Sequence, residues 1–281
     1  MLSILFGLSA ALGWGAGDFT GGLASRKTGA YRAVLYSEII GIFVLFFAIM
    51  VFGEPLPNGR VWMFAMLAGT LGTIGLIFLY RSMTIGLMSI AAPVSALLAA
   101  VLPVFVGIFR EGLPKWTIIL GFCFALYAVW MISQGKDGIT DILAHLADLK
   151  LPLLAGLGFG SYFVLMNEAT NSGATIWPMV ASRSGGLILI VVYMLVTRTS
   201  WKVEDPSAWP IIALNGILDI SGNVFFILAS QTGRLDVSAV LSSLFPGATV
   251  LLAWIFLKER LSRNQWIGIF AALLAIVLLT L

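Results

Sequence analysis

Charge is scarce in this chain. Only 10% of its 281 residues are Asp, Glu, Lys or Arg, against about 25% in a soluble domain. Histidine occurs once, at His145, and cysteine once, at Cys123. A single cysteine excludes an intramolecular disulfide. A single histidine argues against a histidine-built metal cluster or catalytic dyad, so neither a metal nor a cofactor is expected. Neither HExxH nor GxSxG is present, and no enzymatic role is expected. The net charge of +3 is spread over short loops. That suits orientation in a membrane and not nucleic-acid binding.

Apolar residues fill the space that charge leaves. The chain is 60% hydrophobic, with a mean hydropathy of +1.03. No soluble fold of this length hides so much apolar surface, so lipid must cover it. A hydrocarbon core of about 30 Å takes roughly 20 apolar residues per helix. Ten stretches approach that length: Ser3–Thr20, Tyr31–Phe52, Val61–Tyr80, Gly86–Phe109, Thr117–Ser133, Leu151–Ala169, Thr175–Thr197, Ala208–Ser230, Val237–Leu257 and Gln265–Leu281. Their apolar runs are continuous, as in helices, and do not alternate as barrel strands do. The first stretch has no basic residues ahead of it and is interrupted by Trp14 and Asp18, so it is read as a permanent helix and not a signal peptide. The fold class expected is an all-α polytopic membrane protein.

The longest connection, Gln134–Lys150, carries Ile139, Ile142, Leu143, Leu146 and Leu149 at helical spacing. It reads as an interfacial helix. The expected organisation is a first repeat over 1–138, a linker helix over 139–150 and a second repeat over 151–281. Five spans per repeat is an odd number, so the two units cross the membrane in opposite senses, as inverted repeats do. Lys and Arg concentrate in the loops after odd-numbered spans. The positive-inside tendency then puts those loops in the cytoplasm and both termini outside.

The halves repeat one another in detail. Gly13-Trp14-Gly15 matches Gly158-Phe159-Gly160, and Gly69, Gly75 and Gly86 recur at constant spacing as Gly216, Gly222 and Gly233. Arg110-Glu111-Gly112-Leu113 closes one apolar run, and Lys258-Glu259-Arg260-Leu261 closes another. Glu111 and Glu259 are expected to fix the turn there, by capping the following helix or pairing with loop bases. The small-residue faces of Gly13, Gly15 and Gly17 and of Gly69, Gly72 and Gly75 suit close helix packing in lipid.

Against this background a few polar residues stand out. Asp219 falls near the middle of its span, where an ionisable group costs about 2.5–3.5 kcal/mol to insert. Asn215 and Asn223 lie four residues to either side, on the same helical face. The matching first-half positions are Ala68, Gly72 and Leu76, so this polar stripe belongs to one half only. Tyr36-Ser37-Glu38 matches Ala181-Ser182-Arg183, which puts opposite charges at equivalent positions. Glu38 and Arg183 suit the two ends of a zwitterion, and equally suit pairing within the protein. Trp14 and Asp18 share a face of the first span, with Asp18 near its end: a cavity wall with a cation or proton site, or an interfacial anchor with a loop-facing acid. Trp254, with Ser242 and Ser243 on one helix, is a further cavity candidate.

With its duplication, its two acidic end-blocks, Leu244-Phe245-Pro246-Gly247-Ala248 in the fourth span of the second half and a glycine in each closing helix, the chain resembles the EamA-type branch of the drug/metabolite transporter superfamily over essentially its whole length. The first half departs from the pattern, with Leu98 or Ala99 where Pro246 would align. The resemblance implies ten helices around a central cavity with alternating access. It implies a small-molecule substrate and a cell (inner) membrane location, and the internal duplication, which puts both halves of a pore in one chain, suits function as a monomer. The leading expectation is a carrier for an amino acid or related zwitterion, in the export direction, with protons as the coupling ion at Asp219 or Glu38. A multidrug exporter, a nucleotide-sugar or phosphate-ester carrier, and an intramembrane enzyme or non-transporting partner stand as alternatives.

Overall fold

The structure is a computed structural model, and it describes residues 2–84, 88–133, 150–171, 173–257 and 261–280. The expected linker helix, with His145, lies outside the described residues, as do Gly86 and the block Lys258-Glu259-Arg260. Among the described residues the chain is all helical, with no strand. The helices are α1 (Leu2–Thr28), α2 (Ala30–Phe52), α3 (Gly59–Thr84), α4 (Met88–Glu111), α5 (Trp116–Ser133), α6 (Lys150–Thr170), α7 (Ile176–Val196), α8 (Trp209–Thr232), α9 (Leu235–Ser242), α10 (Phe245–Leu257) and α11 (Arg263–Thr280).

Local chemistry sets the ends. Gly53 adopts a left-handed conformation, φ 62°, that donates its N–H to Ile49 O at 2.8 Å and stops α2; a side chain would be strained there. Asp205 accepts from Ser207 N at 2.9 Å, and Pro206 follows it, opening the 3-10 turn Pro206–Ala208 that leads into α8.

Three expectations need correction. The span Val237–Leu257 is not one helix but breaks at Ser243 and Leu244. Pro246 has no N–H to offer the carbonyl of Ser242, and its ring crowds that carbonyl, so the helix stops one turn earlier and restarts. Ser242 therefore ends α9, Ser243 lies in the break, and Trp254 belongs to α10. Asp18 is not near a helix end, because α1 continues to Thr28 and leaves Asp18 within the run. The third span likewise does not end at Tyr80, because its helix continues to Thr84.

Among the described residues seven stretches are long and apolar enough to cross a bilayer, with the α9–α10 run Leu235–Phe256 among them. Trp116–Ile132 and Arg263–Leu279 are shorter apolar helices. Helix α6 is less apolar and is packed between α3 and α4. The surface confirms the solvent: Phe43, Phe47, Met50, Phe105 and Val192 face outward, while Ser37, Glu38, Ser182, Arg183, Asn215 and Asn223 are buried. Apolar outside and polar inside is the arrangement lipid demands. The chain is a multi-pass membrane protein.

The helices pair in a regular way. The most extensive contacts are α1 with α8, α3 with α6, α5 with α11 and α4 with α6, followed by α3 with α7, α2 with α7 and with α8, and α1 with α9 and α10. Exchanging each helix for its counterpart in the other half leaves this set of pairs unchanged. Glycine permits the tightest of them. A methyl at Gly69 of α3 would collide with the Ser182 carbonyl of α7, and one at Gly222 of α8 with the Trp14 ring of α1.

Candidate functional site

Helices α1, α2, α3, α6, α7 and α8, with Ala99 of α4 and Phe245 of α10, line one cavity of about 140 Å³. At its centre lies Arg183 of α7. Its Nη1 is 2.9 Å from Glu38 Oε1 of α2, and its Nη2 donates to Asp219 Oδ2 of α8. Glu38 and Arg183 are 7% and 9% exposed. Charges so deep in protein and lipid persist only when paired. One carboxylate comes from each half, so Arg183 ties the halves together.

A hydrogen-bonded chain extends from Asp219. Asn223 donates through Nδ2 to Asp219 O at 2.7 Å, with Asp219 Oδ2 at 3.4 Å, and the Tyr162 hydroxyl of α6 donates to Asn223 Oδ1. The facing wall is aromatic. Trp14 stacks on Phe163 at 5.4 Å and tilts against Phe226 at 5.7 Å. Asp18 lies on the same wall, one turn along α1 from Trp14.

Of the residues singled out from sequence, Asp219, Asn223, Arg183, Glu38, Trp14 and Asp18 all line this cavity. Two do not. Asn215 shares a face with Asp219 but is buried against α2, where its Nδ2 donates to Ser37 Oγ at 2.9 Å. Trp254 is 44% exposed and meets Trp266 edge-on at 6.4 Å on the outer surface. Sequence reasoning missed Phe163, Thr73 and Tyr162 as cavity lining. The offset that carries Glu38 to Arg183 also carries Trp14 to Phe159 and Asp18 to Phe163, so a signal for both phenylalanines was present. No such signal marked Tyr162, whose counterpart is Gly17.

The cavity is rich in acceptors. Glu38 Oε2 is buried and has no hydrogen-bond partner. Asp18 makes no hydrogen bond or ion pair among the described residues. Arg183 already faces two carboxylates. The site therefore welcomes a donor-bearing or cationic group more readily than an anion. Among the described residues no group of three or more His, Cys, Asp or Glu is placed to hold a metal.

A second polar region closes one end of the bundle. Glu168 of α6 pairs with Arg60 of α3 at 2.7 Å and Arg110 of α4 at 2.8 Å. Arg234 pairs with the fully buried Asp236 at 2.8 Å and approaches Glu111 at 3.7 Å. These two carboxylates hold the Arg234 guanidinium more firmly protonated than usual, the hydrogen bond to Asp236 contributing most. Glu111 meets the expected loop base, but the helix it caps is not the following one: its Oε1 accepts from Leu235 N at 3.3 Å, at the start of α9 in the other half. The matching Glu259 lies outside the described residues.

The model of the EamA-like transporter family matches this chain twice, over residues 1–134 and 147–281. The chain belongs to the EamA-like transporter family. Among its relatives, an uncharacterized protein of Methanocaldococcus jannaschii is 29% identical over 124 residues, which is 44% of this chain and 88% of that protein. A protein of Streptococcus agalactiae, provisionally named for sugar uptake, is 22% identical over 99% of this chain and 98% of its own length. One of Streptococcus pyogenes, similarly named, is 23% identical over the same shares. A solved crystal structure shares the fold, with a TM-score of 0.78 at 19% identity, covering 99% of this chain and 96% of that one. As an EamA-like family member, the chain is a membrane transporter.

Proposed function

We propose that this EamA-like protein is a secondary carrier that moves a small polar metabolite by alternating access through the cavity around Arg183. The observation that carries this reading is the triad Glu38–Arg183–Asp219, drawn from both halves, with Glu38 and Arg183 buried and Asp219 partly open to the cavity. A charged cluster at bilayer depth is expensive and marks a pathway. Placed between two similar units, it is where their rocking would alternate exposure.

The architecture we assign is ten spans in two inverted five-helix units, 1–138 and 151–281, joined through 139–150. Three observations support it: the helix pairs map onto themselves when the halves are exchanged, the family model matches each half separately, and the archaeal relative is matched almost whole by less than half of this chain. Both termini lie outside a cell (inner) membrane in this reading. At the end bearing Arg60, Arg110, Lys115 and Arg234, the three arginines each have an acidic partner, which leaves most of the surplus positive charge on the opposite side. A single chain supplies both halves of the pathway and works as a monomer.

The substrate assigned is an amino acid or a related amine. Asp18 and the free oxygen of Glu38 accept from its ammonium, and Trp14 with Phe163 contacts its apolar part. Its carboxylate, if it has one, must compete with Glu38 or Asp219 for Arg183. The small cavity and the neutralised arginine disfavour bulky drugs and phosphate esters, since drug-sized sites run to roughly 300–1,000 Å³. Protons are the coupling ion, and amine export follows when protons enter.

A sugar is the second reading. It is favoured by the names of the streptococcal relatives and by an aromatic wall beside acceptor side chains. Counterflow of labelled amino acids and of labelled hexoses into proteoliposomes separates the two. Exchange of an amine-bearing compound supports the first reading, and exchange of hexoses alone replaces it with the second. Exchange of neither by folded protein contradicts both.

A further inference from the structure

The cavity holds more negative charge than its one arginine balances. Asp18, Glu38 and Asp219 line it with Arg183. Glu38 and Asp219 each bond the guanidinium, whereas Asp18 has no such partner among the described residues. Asp219 is also close to α1: a methyl on Gly17 would sit 3.5 Å from its backbone N. The ionisable groups that share the cavity with Asp18 are Asp219 of α8, Glu38 of α2, Arg183 of α7 and Tyr162 of α6. Helix α10 has no ionisable residue, and the one acid of α9, Asp236, is held by Arg234. Helix α3 brings none to this level, from Gly69 to Leu79. Ionised together, the three acids would leave an excess of two negative charges within the bilayer span, where even one is costly.

A second observation points to a missing positive partner. Glu38 is more than nine-tenths buried and lines the cavity, yet its Oε2 meets no donor. A buried carboxylate oxygen of that kind calls for a proton, a cation or a substrate N–H.

We propose that Asp18 is the proton-carrying residue of this protein, holding one proton when the cavity is empty and releasing it when a cationic group arrives between Asp18 and Glu38 Oε2. Glu38 and Asp219 stay ionised on Arg183. The Asp18 O–H bond breaks, its electron pair remains on the carboxylate, and the proton leaves to water on the side from which the cation came. One positive charge replaces another, so the carrier exchanges protons for its cargo one for one. The proposal deepens the transport reading and rests on it for its purpose, but its test needs no transport.

Purified protein is titrated while the C=O stretch of protonated carboxyl groups is followed by infrared difference spectroscopy, in the wild type, Asp18→Asn and Asp219→Asn. In parallel, a hydrophobic carbodiimide, which reacts with protonated carboxyls, is applied and the labelled residue located by mass spectrometry. A band present in the wild type and in Asp219→Asn, but absent from folded Asp18→Asn, is expected, with the label on Asp18 falling as pH rises. A protonated-carboxyl band unchanged in folded Asp18→Asn, or no such band in the wild type, overturns the assignment. Failure of counterflow alone would count against the transport reading and leave this result standing.

Discussion

Arg183 Nη1 lies 2.9 Å from Glu38 Oε1, and the two residues occupy equivalent positions in the two halves of the chain. An internal duplication has placed a cation in one copy and an anion in the other, and the fold brings them face to face. Asp219 takes the other arm of the guanidinium, at a position where the first half has Gly72.

Removing the arginine should be costly. Arg183→Met leaves the buried Glu38 and the partly exposed Asp219 without their partner, and stranding a buried charge destabilises by about 3–5 kcal/mol. Thermal unfolding in detergent should show a clear drop. Adding Glu38→Gln and Asp219→Asn to the same protein should recover most of it, because the uncompensated charges are then gone.

Tyr162→Phe deletes one hydroxyl and leaves Asn223 Oδ1 without its donor. A stability loss of about 1–3 kcal/mol is expected. The rate of substrate exchange per folded molecule should fall several-fold, since Asn223 orients Asp219. An unchanged exchange rate would make Tyr162 a packing residue.

Gly69→Ala pushes a methyl into the Ser182 carbonyl, where α3 and α7 cross. Overpacking of this kind costs about 1–3 kcal/mol. Gly22→Ala is the control, as an added methyl there meets nothing within 4 Å, and it should leave the unfolding midpoint unchanged or slightly raised.

Two acids outside the cavity should behave in opposite ways. Asp236 is fully buried beside Arg234, and Asp236→Asn should destabilise by about 3 kcal/mol or more. Glu168 bridges two exposed arginines, and Glu168→Gln should cost about 1 kcal/mol or less. Unfolding midpoints of the two variants decide the contrast.

Much of the fold was legible because apolar runs of bilayer length have few other solutions. The break at Ser243 and Leu244 was not. Apolar continuity looks the same whether or not Pro246 interrupts it, and the outcome depends on losing one N–H at a particular carbonyl. Asp18 was placed near a helix end because Thr20 closes the strongly apolar run, yet the polar residues beyond it continue the helix to Thr28. In the cavity, the equivalence of Glu38 and Arg183 was visible and their contact was not, since contact depends on how α2 and α7 pack. Asn215 shows the limit of periodicity: it shares a helical face with Asp219, but that face passes from the cavity to the Ser37 hydroxyl within one turn. Trp254 points outward for the same reason, a face being readable and its neighbour not.

The most direct test is counterflow in proteoliposomes, comparing wild type with Asp219→Asn at equal amounts of folded protein. If the cavity around Arg183 is the transport site, the variant should reach the membrane in near-normal amounts and lose most of its exchange. Wild-type exchange by a correctly folded Asp219→Asn protein would contradict that assignment.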